Sequence, residues 1–221
     1  MKKYLSLLLA VLMTASLLAG CGGDTAADDT AADDTADTET TDTGNTSTGS
    51  GVELKFTTGG DQGTYYGFGT VLAQYVTSNT GSKVTAVVSN GSQDNIEQMS
   101  MNTAQLGFVQ SDVMSYAYNG ERLFEGAPVE DFSTVAALYM EQVQIVTCDP
   151  SIQSVADLKG KNVSIGASGS GVYYNALDVL GAYGLTEDDI NATYQDFGNS
   201  VDALQDGKID AAFVVAGAPT V

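Results

Sequence analysis

One arrangement occurs twice in this chain and limits the fold more than any other feature. "ELKFTTGGDQGTYYGFGTVLAQYV" (residues 53–76) and "KNVSIGASGSGVYYNALDVLGAYG" (residues 161–184) both run from a strand-like start through a Gly/Ser loop and a Tyr-Tyr pair into a periodic stretch. Setting Gly63 on Gly171 places Tyr65 on Tyr173, Tyr66 on Tyr174, Leu72 on Leu180 and Tyr75 on Tyr183. Apolar residues follow helical spacing in both: Phe68, Val71, Leu72, Tyr75 and Val76, then Tyr173, Ala176, Leu177, Leu180 and Tyr183. A second pair, "NIEQMSMNTAQLGFVQSD" and "SVDALQDGKIDAAFVVAG", runs from helix to strand; with Phe108 on Phe213, Ile96 meets Val201 and Met99 meets Leu204.

The pattern predicts strands near 52–57, 83–88, 106–110, 162–166, 191–196 and 210–215, and helices near 65–78, 92–102, 172–183 and 199–206. Strands alternating with helices form parallel units with right-handed crossovers. The expected fold class is therefore α/β, in two lobes at 52–138 and 139–221. Two further strands, "FSTVAALY" (132–139) and "QVQIVTC" (142–148), are expected to cross between them.

Ahead of these lobes the sequence changes character. Lys2 and Lys3, the apolar run Leu5–Leu18 and Leu18-Ala19-Gly20-Cys21 read as a lipoprotein signal with lipidation at Cys21. The apolar run is short for a spanning helix. Residues 22–51 are Thr, Asp, Ala, Gly and Ser with no large apolar residue; they read as a disordered acidic tether. The chain carries a net charge of −20, which disfavours nucleic acid, since phosphates need a basic face. It has no histidine, which removes Ser-His-Asp and Cys-His catalysis and the usual zinc sites. With Cys21 lipidated, Cys148 is alone, and it reads as a small buried residue.

In open α/β sheets, ligands lie beyond the carboxyl ends of the strands. The loops there are "TTGGDQGT", "VSNGSQDN", "QSD", "GASGSGV", "DFGNS" and "VAGAP", polar and without Lys or Arg. Helix N-termini offer unpaired N–H groups and a positive dipole end, enough to hold a small anion or zwitterion. The expected cleft residues are Gly63, Thr64, Tyr65, Tyr66, Ser89, Asn90, Gly91, Ser92, Gln110, Ser111, Asp112, Glu141, Ser168, Ser170, Gly171 and Tyr173. One tyrosine of each pair is expected to pack and the other to face the cleft, with Tyr174 the alternative to Tyr173. Ser89–Ser92 suit a helix cap and a solute contact alike, and Asp112 suits an N-cap or a ligand. Glu141 reads either as an exposed strand end or as a counter-charge for a solute ammonium group. No cofactor is expected: "GASGSG" lacks the Gly-Lys-Ser/Thr of a P-loop, and "GFG" at 67–69 lacks the third glycine of a dinucleotide fingerprint.

The motifs "GGDQGTYYGFG", "SNGSQDNIEQM", "LGFVQSDV", "LYMEQVQIV", "VADLKGKNVSIGASGSG" and "FVVAGAP", in this order, resemble the TAXI family of TRAP-associated extracytoplasmic solute-binding proteins. The resemblance implies a two-lobed, type II periplasmic-binding-protein-like fold. It implies a small carboxylate or amino acid, glutamate-like or dicarboxylate, in an interlobe cleft. It also implies delivery to a TRAP-type membrane permease from a lipid-anchored, extracytoplasmic position. Chains of that family continue past "VVAGAP", so the second lobe is expected to be incomplete, with Phe213, Val214 and Val215 partly exposed. The other readings are an α/β enzyme of unknown reaction and a surface interaction module.

Overall fold

The apolar face of Glu53–Thr57 (β1) organises the first sheet in the computed structural model, which describes residues 51–218 and Thr220. The expected leader, tether and lipidated Cys21 lie outside the described residues. β1 pairs in parallel with Lys83–Val87 (β2) and with Leu106–Gly107 (β3), in the order β2-β1-β3. Between β1 and β2 the chain makes the helix Thr64–Asn79 (α1), and between β2 and β3 the helix Ser92–Ser100 (α2). α1 lays Ala73 over Phe56, Val84 and Phe108 to form one core. A Cβ at Gly69 would lie 2.7 Å from Thr58 Cγ2 and 3.0 Å from Phe108 Cε2. The second glycine of "GFG" therefore serves packing: Gly69 lets α1 settle onto the sheet.

The second sheet has the order β4-β7-β5-β6, with Gln142–Thr147 (β4), Asn162–Ser164 (β5), Asn191–Thr193 (β6) and Ala211–Ala216 (β7). β7 is parallel to β5 and antiparallel to β4. The helices Gly171–Ala182 (α4) and Phe197–Gln205 (α5) connect its parallel strands. Leu158, Val163, Ile165, Ala176, Leu180, Phe213 and Val215 form the core of this lobe.

Four expectations need correction. Phe213, Val214 and Val215 are buried, at 1%, 9% and 6% exposure. β7 is an interior strand, paired with β4 on one edge and β5 on the other, and Phe213 and Val215 pack against Val172 and Ala176 of α4. Residues 132–139 form no strand, since no neighbouring strand accepts their hydrogen bonds; Val135 is 86% exposed. Cys148 is exposed, because the β4–β7 ladder ends at Thr147. Ser111–Asn119 is a helix (α3) beyond those expected, closed by Gly120 at φ 67°.

The two lobes share packing. Tyr174, on α4, is 1% exposed and sits among Ile96, Val113, Ala117 and Phe124 of the first lobe. Its hydroxyl donates to Gln93 Oε1 at 3.0 Å. The described residues fall within one compact unit.

Candidate interlobe cleft

Three strand ends meet on one buried side chain. Asn95, fully buried on α2, donates from Nδ2 to the carbonyls of Thr58 and Phe108, each at 2.7 Å. Its Oδ1 accepts from Ser89 Oγ at 2.6 Å. The loops after β1, β2 and β3 are thereby tied to a single amide. Ser92 Oγ adds a bond by accepting the Gln110 N–H at 3.0 Å.

The second lobe brings its own strand ends to the same place. Together the two sets of loops enclose a cavity of about 450 Å³. The first lobe lines it with residues 59–65, 88–92, Asp94 and Gln110; Glu141 follows from the crossover, and the second lobe adds Ala167, Ser170–Val172, Asp196–Gly198, Val215 and Ala216. The walls touch directly. Gln93 and Asp94 N–H groups, at the start of α2, donate to the Gly169 carbonyl at 3.0 and 3.1 Å. Gln110 Nε2 donates to Asn175 Oδ1 at 2.7 Å, and Asn175 Nδ2 donates to Asp112 Oδ2 at 2.8 Å.

Of the residues expected to line the cleft, Gly63, Thr64, Tyr65, Ser89, Asn90, Gly91, Ser92, Gln110, Glu141, Ser170 and Gly171 do so. Tyr66, Ser111, Asp112 and Tyr173 do not. Asp112 is not an N-cap either, since Gln110 holds that position; its carboxylate orients Asn175 instead. Tyr173 packs on its own lobe's core and donates to Glu187 Oε2 at 3.0 Å. In the second pair, therefore, both tyrosines pack and neither faces the cavity. Ser168 lines a neighbouring, more open pocket of about 600 Å³ with Tyr194, Asn199 and Lys208. Asp61, Asp94, Asp196 and Phe197 line the cavity as well; they lie within "TTGGDQGT", "VSNGSQDN" and "DFGNS", loops whose position after strands points to the cleft without marking these side chains.

The helix starts differ in what they leave free. α2 is closed by Gly169 of the other lobe. Ser170 Oγ accepts the Tyr173 N–H to cap α4, and Asp196 Oδ1 accepts the Asn199 N–H at 2.8 Å to cap α5. α1 has no side-chain cap and no acid in its first turn, and its flanking residues Gly63 and Thr64 line the cavity. Its unpaired N–H groups give the cleft a positive end.

Glu141 sets the opposite sign. Its Oε2 accepts from the Tyr65 hydroxyl at 2.9 Å. Burial pushes its carboxyl up to about 7, against the Tyr65 hydrogen bond that favours the charged form; the Asp112 charge adds to the rise. The Tyr65 ring is stacked on Phe108, with centroids 4.9 Å apart. No Lys or Arg among the described residues lines the cavity. Among the described residues, no group of three or more His, Cys, Asp or Glu is placed to hold a metal ion.

The sequence pattern of the NMT1-like family matches residues 56–221. Among solved structures, the alkanesulfonate-binding protein SsuA from Xanthomonas axonopodis pv. citri, bound to MOPS, matches at 22% identity and a TM-score of 0.49. That match covers 73% of this chain and 54% of SsuA, so the chain spans about half the length of that relative. AbpA, an amino acid ABC transporter substrate-binding protein from Streptococcus pneumoniae bound to L-arginine, matches at 20% identity over 74% of this chain and 67% of its own, with a TM-score of 0.52. The GluR0 ligand-binding core from Nostoc punctiforme, in complex with L-glutamate, matches at 19% over 74% and 69%, with a TM-score of 0.50. The likeness is one of fold, the mixed α/β fold of type II periplasmic-binding proteins.

Proposed function

The chain belongs to the NMT1-like family, and from that premise we propose that it is the extracytoplasmic solute-binding component of a membrane transporter. The observation that carries this reading is the cavity of about 450 Å³, built from strand-end loops of both lobes. Its size suits a small molecule. Its lining supports a zwitterion: the open start of α1 suits a carboxylate, and Glu141, also in the lining, suits a cation.

In the finer reading, the chain is a lipid-anchored receptor that hands a glutamate-like solute or other small carboxylate to a TRAP-type permease. The ordered run of motifs from "GGDQGTYYGFG" to "FVVAGAP" supports it. The test is a thermal-shift screen of the full chain against amino acids, dicarboxylates and sulfonates. A bound solute raises the melting temperature in a concentration-dependent way. No shift with any of them would refute the receptor reading, and conversion of a solute to product would favour an enzyme. Transport in reconstituted vesicles, driven by an ion gradient and indifferent to ATP, would separate a TRAP-type permease from an ATP-driven one.

A further inference from the structure

The four carboxylates that line the cavity are not equivalent. Asp94 Oδ2 accepts the Asn90 N–H at 2.9 Å, and its Oδ1 accepts from Gln98 at 2.9 Å. Asp196 accepts from the Asn199 N–H and from Asn199 Nδ2, each at 2.8 Å. Both are occupied in holding helix starts. Asp61 is exposed at the rim. Glu141 is half-buried and has one oxygen to spare: Tyr65 takes Oε2, and among the described residues no donor reaches Oε1. No basic side chain among the described residues lines the cavity to neutralise it. We propose that Glu141 receives a cationic nitrogen of the solute, so that the cleft accepts zwitterions and small amines and rejects dianions that lack such a group.

This rests on the reading that the cleft holds a solute, and it narrows that solute's chemistry. Two features beyond charge favour it. The Tyr65 hydroxyl fixes one oxygen, which leaves the other oriented before the solute arrives, and a preoriented acceptor loses less entropy on binding. The Tyr65 ring, which lines the cavity and is backed by Phe108, gives that end of the cleft an apolar surface beside the carboxylate, which strengthens a charge-assisted hydrogen bond. A dianion would meet the uncompensated Glu141 charge at the same point.

The groups acting on Glu141 are Tyr65 of α1, Asp112 of α3 and Tyr139 of the crossover. None is cationic, so its charge develops as its own carboxyl titrates, near pH 7. An amine-bearing solute should bind more tightly as pH rises from 5.5 to 8, and a dicarboxylate should bind less tightly.

The experiment is calorimetric titration of the full chain with amino acids and their deaminated counterparts, L-glutamate against glutarate and L-aspartate against succinate among them, at pH 5.5 and 8. The expected result is that every solute that binds at pH 8 carries a cationic nitrogen, and that its binding is tighter at pH 8 than at pH 5.5. Glu141→Gln should weaken it by at least about tenfold and flatten its pH dependence, as loss of a charge-assisted hydrogen bond requires. Tyr65→Phe, which keeps the charge and frees Oε2, should retain the pH dependence. A deaminated counterpart that binds the wild type as tightly as its amino acid would overturn the proposal and leave the receptor reading standing. So would a Glu141→Gln variant, shown folded by circular dichroism, with unaltered affinity and pH profile. Absence of binding by any solute would overturn both.

Discussion

Asn95→Ala should unsettle the entire first-lobe side of the cleft. The side chain is fully buried, and three of its hydrogen-bonding positions are used: by the Thr58 carbonyl, the Phe108 carbonyl and the Ser89 hydroxyl. Alanine leaves two carbonyls without these donors in a space closed to solvent. A buried polar group left unpaired costs about 1–3 kcal/mol, so the loss should be about 3 kcal/mol or more before any cavity is counted. Asn95→Asp is the sharper probe. It keeps the volume and the Oδ1 acceptor, but it replaces the donor with a second oxygen facing two carbonyl oxygens. It should destabilise more than alanine at neutral pH. The assay is urea denaturation of the full chain followed by circular dichroism, comparing midpoints at a shared slope. A loss under about 1 kcal/mol for alanine, or an aspartate variant as stable as the wild type, would show that these loops hold their places without the amide and that the argument is wrong.

Three other substitutions test separate parts of the structure. Gly171→Ala would put a Cβ 2.5 Å from Gln110 Cδ, so the carboxamide must leave Asn175. The lost bond is about 1 kcal/mol, and affinity for any cleft solute should fall about fivefold with little change in secondary structure; unchanged affinity would show that this contact does not hold the walls together. Leu180→Ala removes a fully buried side chain from the second core and should cost about 2–5 kcal/mol in the same urea assay, whereas a loss below about 1 kcal/mol would mean that the core is not packed as described. Glu141 holds its proton up to about pH 7 in the folded chain, against an ordinary 4.5. Its stabilising effect is therefore complete below pH 4.5 and is lost as pH rises through 7, by about 2 kcal/mol once its partial exposure is discounted. Glu141→Gln should remove that slope from the melting temperature, and an identical slope in both proteins would contradict the assignment.

Much of this architecture is readable from residue periodicity. Strand-like apolar runs and helices of period 3.6 alternate around the Tyr-Tyr pairs, and the structure repeats that alternation in both lobes. Periodicity is silent about which strand becomes whose neighbour. β4 reaches β7 across a long stretch of chain and pairs with it, so that β7 has a strand on each edge. It is equally silent about residues 132–139, where strand-like spacing meets no strand to pair with. At the cleft, the glycine and serine loops are conspicuous because they follow strands. Asn95 is not, because one asparagine in "SQDNIEQ" resembles its polar neighbours until burial distinguishes it. The two tyrosine pairs look identical and behave differently. Tyr65 turns toward Glu141, while Tyr174 is drawn into the facing lobe.

Tyr174 also bears on how the chain is made. By sequence it follows the crossover; by packing it completes the cluster of Ile96, Val113, Ala117 and Phe124. A ribosome that has finished those four residues has still to add the side chain that fills the space between them. Until then the cluster has an apolar vacancy where that ring sits in the finished structure. The same vacancy makes the halves complementary: separately produced pieces divided within 128–141 should each be poorly soluble and should recover structure when mixed.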